Sequence, residues 1–275
     1  LSPGAEAALA CRLSISAACD ANELSAHLAA HTSSTFSRQE SARVAGGNSR
    51  LADALVGTLP HSIRLRHPVA RIRCDPSSVT LSGYGFDFFA DAALITVPAT
   101  VLNDIIFEPP LPDYKIGANS GVDYGHAAKL FVPLMGAAQP SAVMSVPDRF
   151  WCWTARGVDG SVQSVVSCFA GSAAALEDLD VANGTRVWLE RLRAIRPDLP
   201  LDHEGAILAT WDDDPWIRAA YSAALAGRPR DEKALAEPVG ALYFAGEHTA
   251  GEWAGTMEGA LRSGRRAAEQ LTALA

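Results

Sequence analysis

The sequence predicts an α/β or α+β fold in which two domains interleave along the chain. Helical and strand-like segments alternate without a strict period, and the pattern changes from one region to the next. The 275 residues are enough for one large domain or two ordinary ones. Hydrophobic residues make up 48% of the chain and charged residues 20%, which is typical of a protein with a substantial core.

Composition argues against several classes of protein. The formal net charge of -8 disfavours a nucleic-acid partner, which needs clustered Lys and Arg. The five cysteines are odd in number and widely spaced, so neither a disulfide framework nor a zinc site is indicated. No apolar run approaches the roughly 20 residues of a membrane span, and no signal peptide is visible. We therefore expect a cytoplasmic protein with reduced thiols and no metal, nucleic acid or membrane.

The first third of the chain reads as helix, turn, helix and strands. Residues 6–41 carry a helical pattern with no internal proline. A Gly-Gly-Asn turn follows, and Asn48 or Ser49 can cap the short helix after it. Residues 63–72 alternate like a strand interrupted by Pro68, and residues 78–97 read as strand, turn, strand and strand.

The middle of the chain predicts strands and then broken helix. Residues 94–97 suit a short buried strand, and the prolines in 107–112 require an extended loop. The clearest strands are "AAKLFVPLM" and "SVQSVVSCFA". Residues 173–195 are largely helical, with a break expected at Asn183 and Gly184. "WDDDPWIRAAY" is a turn-rich aromatic loop.

The last segment combines a strand, a carboxylate and a helix. Residues 241–245 form a short apolar strand, Gly246 permits an unusual backbone conformation, and Glu247 follows the carboxyl end of the strand. Thr256 can cap the final helix. We expect its packed face to consist of small and apolar residues, with Gly259 and Gly264 allowing close approach: Ala260, Gly264, Ala267, Ala268 and Leu271.

A helix N-terminus beside a carboxylate suits a cofactor with a hydroxylated chain and an acceptor head. The N-terminus offers N–H groups and partial positive charge, and an ionised Glu247 accepts hydrogen bonds from hydroxyls. The alternative is that Glu247 is a solvated loop residue and the helix is only structural. The pattern by itself leaves both open.

The same stretch closely resembles the C-terminal FAD-binding signature of the flavin-containing amine oxidases, the monoamine oxidase, polyamine oxidase and L-amino-acid oxidase group. "FAGEHT" followed by "GTMEGALRSGRRAA" carries the resemblance. Further segments resemble the family in order over residues 41–275: "GGNSRLADAL", "LRHPVARI", "DAALITVPATVL", "IIFEPPLP", "YGHAAKLFV", "DRFW" and "WDDDPWIRAAY". The chain is identified as a member of this family.

The resemblance assigns cofactor contacts to residues of this sequence. It implies that the backbone of Val69 meets the adenine part of FAD, and that Glu247, after Gly246, binds the ribityl part. It also implies that the N–H of Met257, after Thr256, faces the flavin C2 carbonyl, where negative charge grows on reduction.

The resemblance also assigns a substrate side. Lys129 would hold a water beside flavin N5, and Tyr221, supported by Trp211, would form one wall of a cage that steers the amine. Position alone favours Lys129 as an ordinary strand lysine with its tip in water. Tyr221 could equally be a core aromatic.

The sequence departs from the family at three points. It contains no strand followed by G-x-G-x-x-G, the unit that takes the FAD pyrophosphate. We therefore interpret it as the C-terminal portion of an enzyme and expect weak FAD binding unless another segment or chain supplies that unit. Ala219 and Ala220 replace the cysteine that attaches FAD in some members, so the cofactor should be noncovalent. Thr256 replaces a second cage tyrosine, which leaves the cage half open.

The implied function is FAD-dependent oxidation of an amine C–N bond to an imine, with O₂ reduced to H₂O₂. An L-amino-acid oxidase would need an arginine for the substrate carboxylate, and the candidates are Arg149, Arg156 and Arg218. A third alternative is a catalytically incomplete subunit that needs a partner to bind FAD. The implied partners are an amine, O₂ and the missing unit, and a homodimer is left open.

The implied fold is the two-domain FAD-dependent amine oxidase fold, with an incomplete Rossmann-like FAD domain and a mixed-sheet and helical substrate domain. We expect residues 42–119 and 215–275 to belong to the FAD domain, and residues 1–41 and 120–214 to the substrate domain.

Overall fold

The computed structural model describes residues 1–26 and 44–273. Its α-helices are α1 (Pro3–Ala17), α2 (Ser49–Val56), α3 (Ala99–Leu102), α4 (Asp113–Ser120), α5 (Ala173–Asp178), α6 (Arg186–Ile195), α7 (Glu232–Ala236) and α8 (Met257–Thr272). Its strands are β1 (Arg71–Asp75), β2 (Ser78–Gly83), β3 (Phe86–Ala90), β4 (Ala93–Ile95), β5 (Ile106–Glu108), β6 (Asp123–Tyr124), β7 (Ala127–Pro133), β8 (Ala142–Ser145), β9 (Phe150–Arg156), β10 (Val162–Gly171), β11 (Ile207–Thr210), β12 (Ser222–Ala223) and β13 (Leu242–Phe244).

The largest sheet has five strands in the order β11-β7-β10-β9-β8. One face packs into a core with α5 and α6, where Phe150 and Trp188 meet edge to face with ring centroids 5.8 Å apart. Every described pair in this sheet is antiparallel, so it is not the mixed sheet that the resemblance implied. The physical reason is that short connections link β8, β9 and β10, whereas parallel neighbours need a long crossover.

A second core lies between two smaller sheets. The four-stranded sheet has the order β3-β2-β1-β5, and β13 pairs with β4 in parallel. Ile72, Val79, Ile95 and Phe244 are buried between them. The prediction of strand, turn, strand and strand over residues 78–97 is confirmed by β2, β3 and β4, although Leu94 is 40% exposed.

A short ladder between β12 and β6 places the aromatic loop against the large sheet. Ser222 lies opposite Tyr124, and the Tyr124 hydroxyl accepts a hydrogen bond of 2.9 Å from the backbone N–H of Ala99. The residue before β12 is Tyr221, and the strand after β6 is β7. This ladder therefore fixes Tyr221 beside β7.

The first predicted helix is shorter than its pattern. α1 ends at Ala17, and Ala18 adopts a left-handed conformation with φ of 56°. The Ser14 hydroxyl accepts a hydrogen bond from the N–H of Ala21, and Leu24 forms a bridge with Leu225, which together hold the chain away from helix. The remainder of the predicted helix, residues 27–41, falls outside the described residues.

Two other boundaries differ from the sequence prediction. The strand predicted over residues 63–72 begins only at Arg71, because Arg66 takes a left-handed φ of 61° and Pro68 has no N–H for a ladder. The predicted loop at 107–112 starts as strand β5, which pairs in parallel with β1. The break at Asn183 and Gly184 is confirmed, since a short 3₁₀ turn ends there before α6.

The face of α8 that packs against the rest of the protein differs from the predicted face. Gly259, Ser263 and Ala267 are buried, whereas Ala260 and Ala268 are exposed. A Cβ on Gly259 would lie 2.1 Å from the Trp253 carbonyl oxygen, so this glycine does allow close approach. Gly264 faces open space. The sequence rule failed because the buried face includes a serine that serves as a hydrogen-bond partner.

No helix in the described ranges, 1–26 and 44–273, has the length and apolar character needed to cross a membrane.

Candidate active site

The strand end at β13 is shaped by Gly246. Its φ is 139°, in a region that side-chain-bearing residues rarely adopt, and a Cβ there would lie 2.6 Å from the His248 ring. Its N–H donates to the Ser263 hydroxyl at 3.0 Å, which ties the strand end to α8. Burial lowers the pKa of His248, so the ring is neutral and packs as a structural residue. Glu247 therefore leaves the strand in a fixed direction.

The Glu247 carboxylate is held by three donors. One oxygen accepts from the Ser222 N–H at 3.0 Å, and the other accepts from the Ser222 hydroxyl at 2.6 Å and from the Gly255 N–H. A carboxylate has about four acceptor positions, so one remains for a further hydrogen bond. The predicted solvated-loop alternative does not describe this residue, because its side chain is tied to two other segments.

The N-terminus of α8 lies beside this carboxylate. Thr256 caps the helix as predicted: its hydroxyl accepts from the Gly259 N–H at 2.9 Å and donates to the Trp253 carbonyl at 2.6 Å. Met257 is the first helical residue and is 49% exposed. The first N–H groups of a helix have no acceptor within it. In this first turn the N–H groups of Gly259 and Ala260 are bonded to Thr256, whereas those of Met257 and Glu258 have no hydrogen-bond partner among the described residues.

A groove of about 490 Å³ brings together three of the predicted residues, Lys129, Trp211 and Tyr221. The remaining lining is apolar: Ala127, Ala128, Phe131, Phe169, Ala209, Ile217, Ala219 and Ala220. Lys129 projects from β7 and is exposed, and Trp211 is 53% exposed. The Tyr221 hydroxyl donates to the Ser16 carbonyl at 2.7 Å, and burial raises the pKa of this phenol, which stays protonated.

The groove and the strand end meet at Tyr221 and Ser222, which are consecutive in the chain. Gly255 lies against both: a Cβ there would be 3.0 Å from the Ser222 carbonyl and 3.7 Å from the Tyr221 ring. Glu247, Ser222 and the start of α8 thus form a polar part of the site, directly behind the aromatic wall of the groove.

Other predicted residues lie outside this arrangement. Val69 is half-buried next to the second core and does not line the groove. Arg149 pairs with Asp20 and Asp178, and Arg218 pairs with Asp104 at 2.5 Å. Arg156 lies at the end of β9 and, like the other two arginines, is not among the described groove residues.

Sequence reasoning missed two residues that support the site. Ser222 binds Glu247, and Arg230 donates to the Ser222 hydroxyl at 3.1 Å and to the Ala223 carbonyl. Both residues line a second cavity, of about 670 Å³. The only available signal was that Ser222 follows Tyr221, because the spacing to Glu247 reveals no contact.

Sequence reasoning also missed Lys115, a fully buried lysine that packs against β13. Lys115 donates to the carbonyl oxygens of Ala234, Leu235 and Glu237 at 2.8 to 2.9 Å and lies 3.6 Å from the Phe244 ring centroid. Burial lowers its pKa to about 8. Its position anchors α7 to α4 and β13.

The fold and the site together describe a chain with a polar ligand site next to an apolar groove. The chain belongs to the flavin containing amine oxidoreductase family, whose model matches residues 5–272. It is 31% identical over 219 residues to "Probable polyamine oxidase 4" of Arabidopsis thaliana, with 75% of this chain and 44% of that protein covered. It is 28% identical over 246 residues to the L-amino-acid oxidase of Mus musculus, with 83% and 39% covered.

A solved structure shares the fold. Cyclohexylamine oxidase from Brevibacterium oxydans IH-35A matches with a TM-score of 0.76 and 20% identity, covering 98% of this chain and 64% of that one. The fold is therefore that of an FAD-dependent amine oxidase. The chain spans less than half the length of the polyamine oxidase and the L-amino-acid oxidase that it matches.

Proposed function

We propose that this chain carries the substrate groove and part of the cofactor site of an FAD-dependent amine oxidase, which oxidises an amine C–N bond to an imine and reduces O₂ to H₂O₂. The observation that carries the proposal is that Lys129, Trp211 and Tyr221 line one groove. Glu247 and the start of α8 lie directly behind Tyr221. The relatives named above include oxidases of polyamines and of cyclohexylamine, which agrees with amine oxidation.

The residues present fit FAD. Glu247 keeps an acceptor position for a ribityl hydroxyl, and the first-turn N–H of Met257 suits the flavin C2 carbonyl. Val69 would meet the adenine part. Ala219 and Ala220 offer no sulfur before Tyr221, which supports noncovalent binding. When bound, FAD supplies the redox chemistry by taking two electrons from the amine and passing them to O₂.

The chain's own side chains position the reactants. Lys129 lines the groove and has no hydrogen-bond or ion-pair partner among the described residues, so its side-chain nitrogen can hold a water molecule near the reacting carbon. Tyr221, fixed through its hydroxyl to Ser16, keeps one wall rigid so that the amine enters in one orientation. The apolar lining favours an uncharged amine nitrogen, and this is the form that can lose a hydride from its α-carbon.

We further propose that a nucleotide-binding unit with the G-x-G-x-x-G pattern completes the cofactor site, from another segment or a separate chain. A two-stranded parallel sheet such as β13–β4 is unusual alone, because parallel strands are normally covered on both faces. Several apolar side chains around it are exposed, namely Leu94, Met257 and Leu261. Fluorescence titration should show weak FAD binding by residues 1–275 and tight binding once the unit is present.

The residues that line the groove do not support the alternative of an L-amino-acid oxidase. That reaction needs an arginine placed to bind the substrate carboxylate through two hydrogen bonds. Arg149 and Arg218 form ion pairs with aspartates, and no arginine is among the described residues that line the groove.

We also propose a division of the chain into two domains and a cytoplasmic location. The five-stranded sheet uses strands within residues 120–214, and the other core uses residues on both sides of that range, which supports the division into an FAD domain and a substrate domain. The free thiols of all five cysteines support a reducing, cytoplasmic location.

The decisive experiment assays the native full-length protein with FAD for peroxide release from a panel of amines. Lys129→Met should lower the rate of flavin reduction roughly 100-fold, while the flavin absorbance shows that FAD is still bound. Lys233→Met is the matched control, since Lys233 is exposed on α7 and does not line the groove. Peroxide release from no amine, despite bound FAD, would contradict the proposed function.

A further inference from the structure

The floor of the groove is one face of the five-stranded sheet. Side chains directly opposite each other on neighbouring strands project from the same face. A row crosses all five strands in register: Ala209, Lys129, Phe169, Trp151 and Met144. A second row lies two residues further along: Ile207, Phe131, Ser167, Trp153 and Ala142. Lys129 is thus the one ionisable group in two rows of mainly apolar and aromatic side chains.

The two faces of this sheet differ in burial. Leu130, Cys152 and Cys168 point into the core and are fully buried. Phe131 and Phe169 on the other face are only partly buried, and they line the groove. The part of this face beside Lys129, formed by Phe131 and Phe169, offers contact area to the non-reacting part of a substrate. Trp151, further along the row, is covered by the Arg12 guanidinium at 5.5 Å from its ring centroid.

The charged residues in and around the groove also bear on which substrate it binds. Among the described lining residues, Lys129 is the only charged one, and no carboxylate is present. The Asp212 carboxylate, next to Trp211 in the chain, is paired with His126 at 3.0 Å and does not line the groove. A second ammonium on a substrate would lose its water without gaining a counter-charge and would be repelled by Lys129.

We infer that the groove selects a monoamine with an apolar alkyl or aryl body, which lies on Phe131 and Phe169, and that it disfavours diamines, polyamines and amino acids. This inference rests on the proposed amine oxidase function. It distinguishes the chain from the polyamine oxidases to which its sequence is similar.

The test uses hexylamine and cadaverine, which have the same number of non-hydrogen atoms and differ in whether the far end is a methyl or an ammonium group. In the full-length protein with FAD, hexylamine should have a kcat/KM at least about tenfold higher. Aminopentanol, with a neutral polar end, should fall between them. A kcat/KM for cadaverine or spermidine equal to or above that of hexylamine overturns the inference while leaving the proposed function intact.

Calorimetric binding separates the two claims. If no amine reduces the flavin, the proposed function fails. In that case, binding of hexylamine without binding of cadaverine would still support the inferred selectivity of the groove. Equal binding of both amines overturns the inference.

A reversal variant tests the physical cause. Phe131→Asp places a carboxylate in the groove and should lower the preference for hexylamine over cadaverine at least about tenfold. Met135→Asp is the matched control, because Met135 is 74% exposed just beyond β7 and does not line the groove. An unchanged preference in folded Phe131→Asp protein contradicts the charge argument, and if this variant does not fold, the wild-type amine comparison decides.

Discussion

Ser222 donates two hydrogen bonds to Glu247, one from its backbone N–H at 3.0 Å and one from its hydroxyl at 2.6 Å. The pair joins the residue that follows Tyr221, the aromatic wall of the groove, to the carboxylate just beyond the end of β13. It fixes the direction in which the Glu247 carboxylate presents its remaining acceptor position.

Ser222→Ala should weaken FAD binding about fivefold, since removal of one hydrogen bond to a fixed carboxylate costs roughly 1 kcal/mol. Flavin fluorescence titration of the full-length protein measures the change. Ser82→Ala is the control, because it removes a hydroxyl–carboxylate hydrogen bond of 2.6 Å, to Asp87, in a different sheet. Equal affinity of wild type and Ser222→Ala would show that the serine does not orient Glu247 for the cofactor.

Tyr221→Phe should keep most activity but lower the melting temperature. The ring that lines the groove remains, while the hydrogen bond to the Ser16 carbonyl is lost at a cost of about 1 kcal/mol. Because burial raises the pKa of this phenol, we expect Tyr221→Phe and wild type to share one pH profile of kcat/KM up to pH ~10. Tyr221→Ala, which removes the wall itself, should lower kcat/KM much more. A titration step present only in the wild type would contradict the structural role of the hydroxyl.

Gly246→Ala should destabilise the protein by roughly 2 kcal/mol, because the new Cβ meets the His248 ring at a positive φ. Gly264→Ala is its counterpart within α8, where nothing lies within 4 Å of the added Cβ. That variant should be stabilised by about 0.5 to 1 kcal/mol through helix propensity. Urea unfolding of both variants gives the two free energies, and a loss of similar size in each would show that backbone strain at Gly246 is not the cause.

Lys115 should give stability a specific pH dependence. Burial lowers its pKa to about 8 in the folded protein from the ordinary 10.5, so the unfolded chain binds more protons between these two values. The free energy of unfolding therefore rises from pH ~8 to pH ~10.5, and below pH ~8 the contribution of this group does not change with pH. The rise is on the order of 3 kcal/mol.

The measurement compares urea unfolding of wild type and Lys115→Met across this pH range. The difference between the two curves should change with pH, whereas Lys233→Met, which removes an exposed lysine, should follow the wild type. A pH-independent difference between wild type and Lys115→Met would show that Lys115 keeps an ordinary pKa.

The sequence by itself determined those features that depend on local chemistry. The apolar strand, Gly246, the Thr256 cap and the break at Asn183 and Gly184 follow from backbone preferences within a few residues. The order of short motifs also sufficed to identify the family, which the family model confirms over residues 5–272. For the same reason, Lys129 and Tyr221 could be named from the sequence as candidate site residues, and both line one groove in the structure.

Only the tertiary structure decided the contacts between residues far apart in the chain. Helical periodicity continued past Ala17, but a hydrogen bond to Ser14 and a bridge to Leu225 ended α1 there. The face of α8 depended on the partner that Ser263 finds in Gly246. The hydrogen bonds between Ser222 and Glu247 join residues 25 positions apart in the chain. The row of side chains around Lys129 arises from pairing across strands. The linear sequence carries no periodic signal for either.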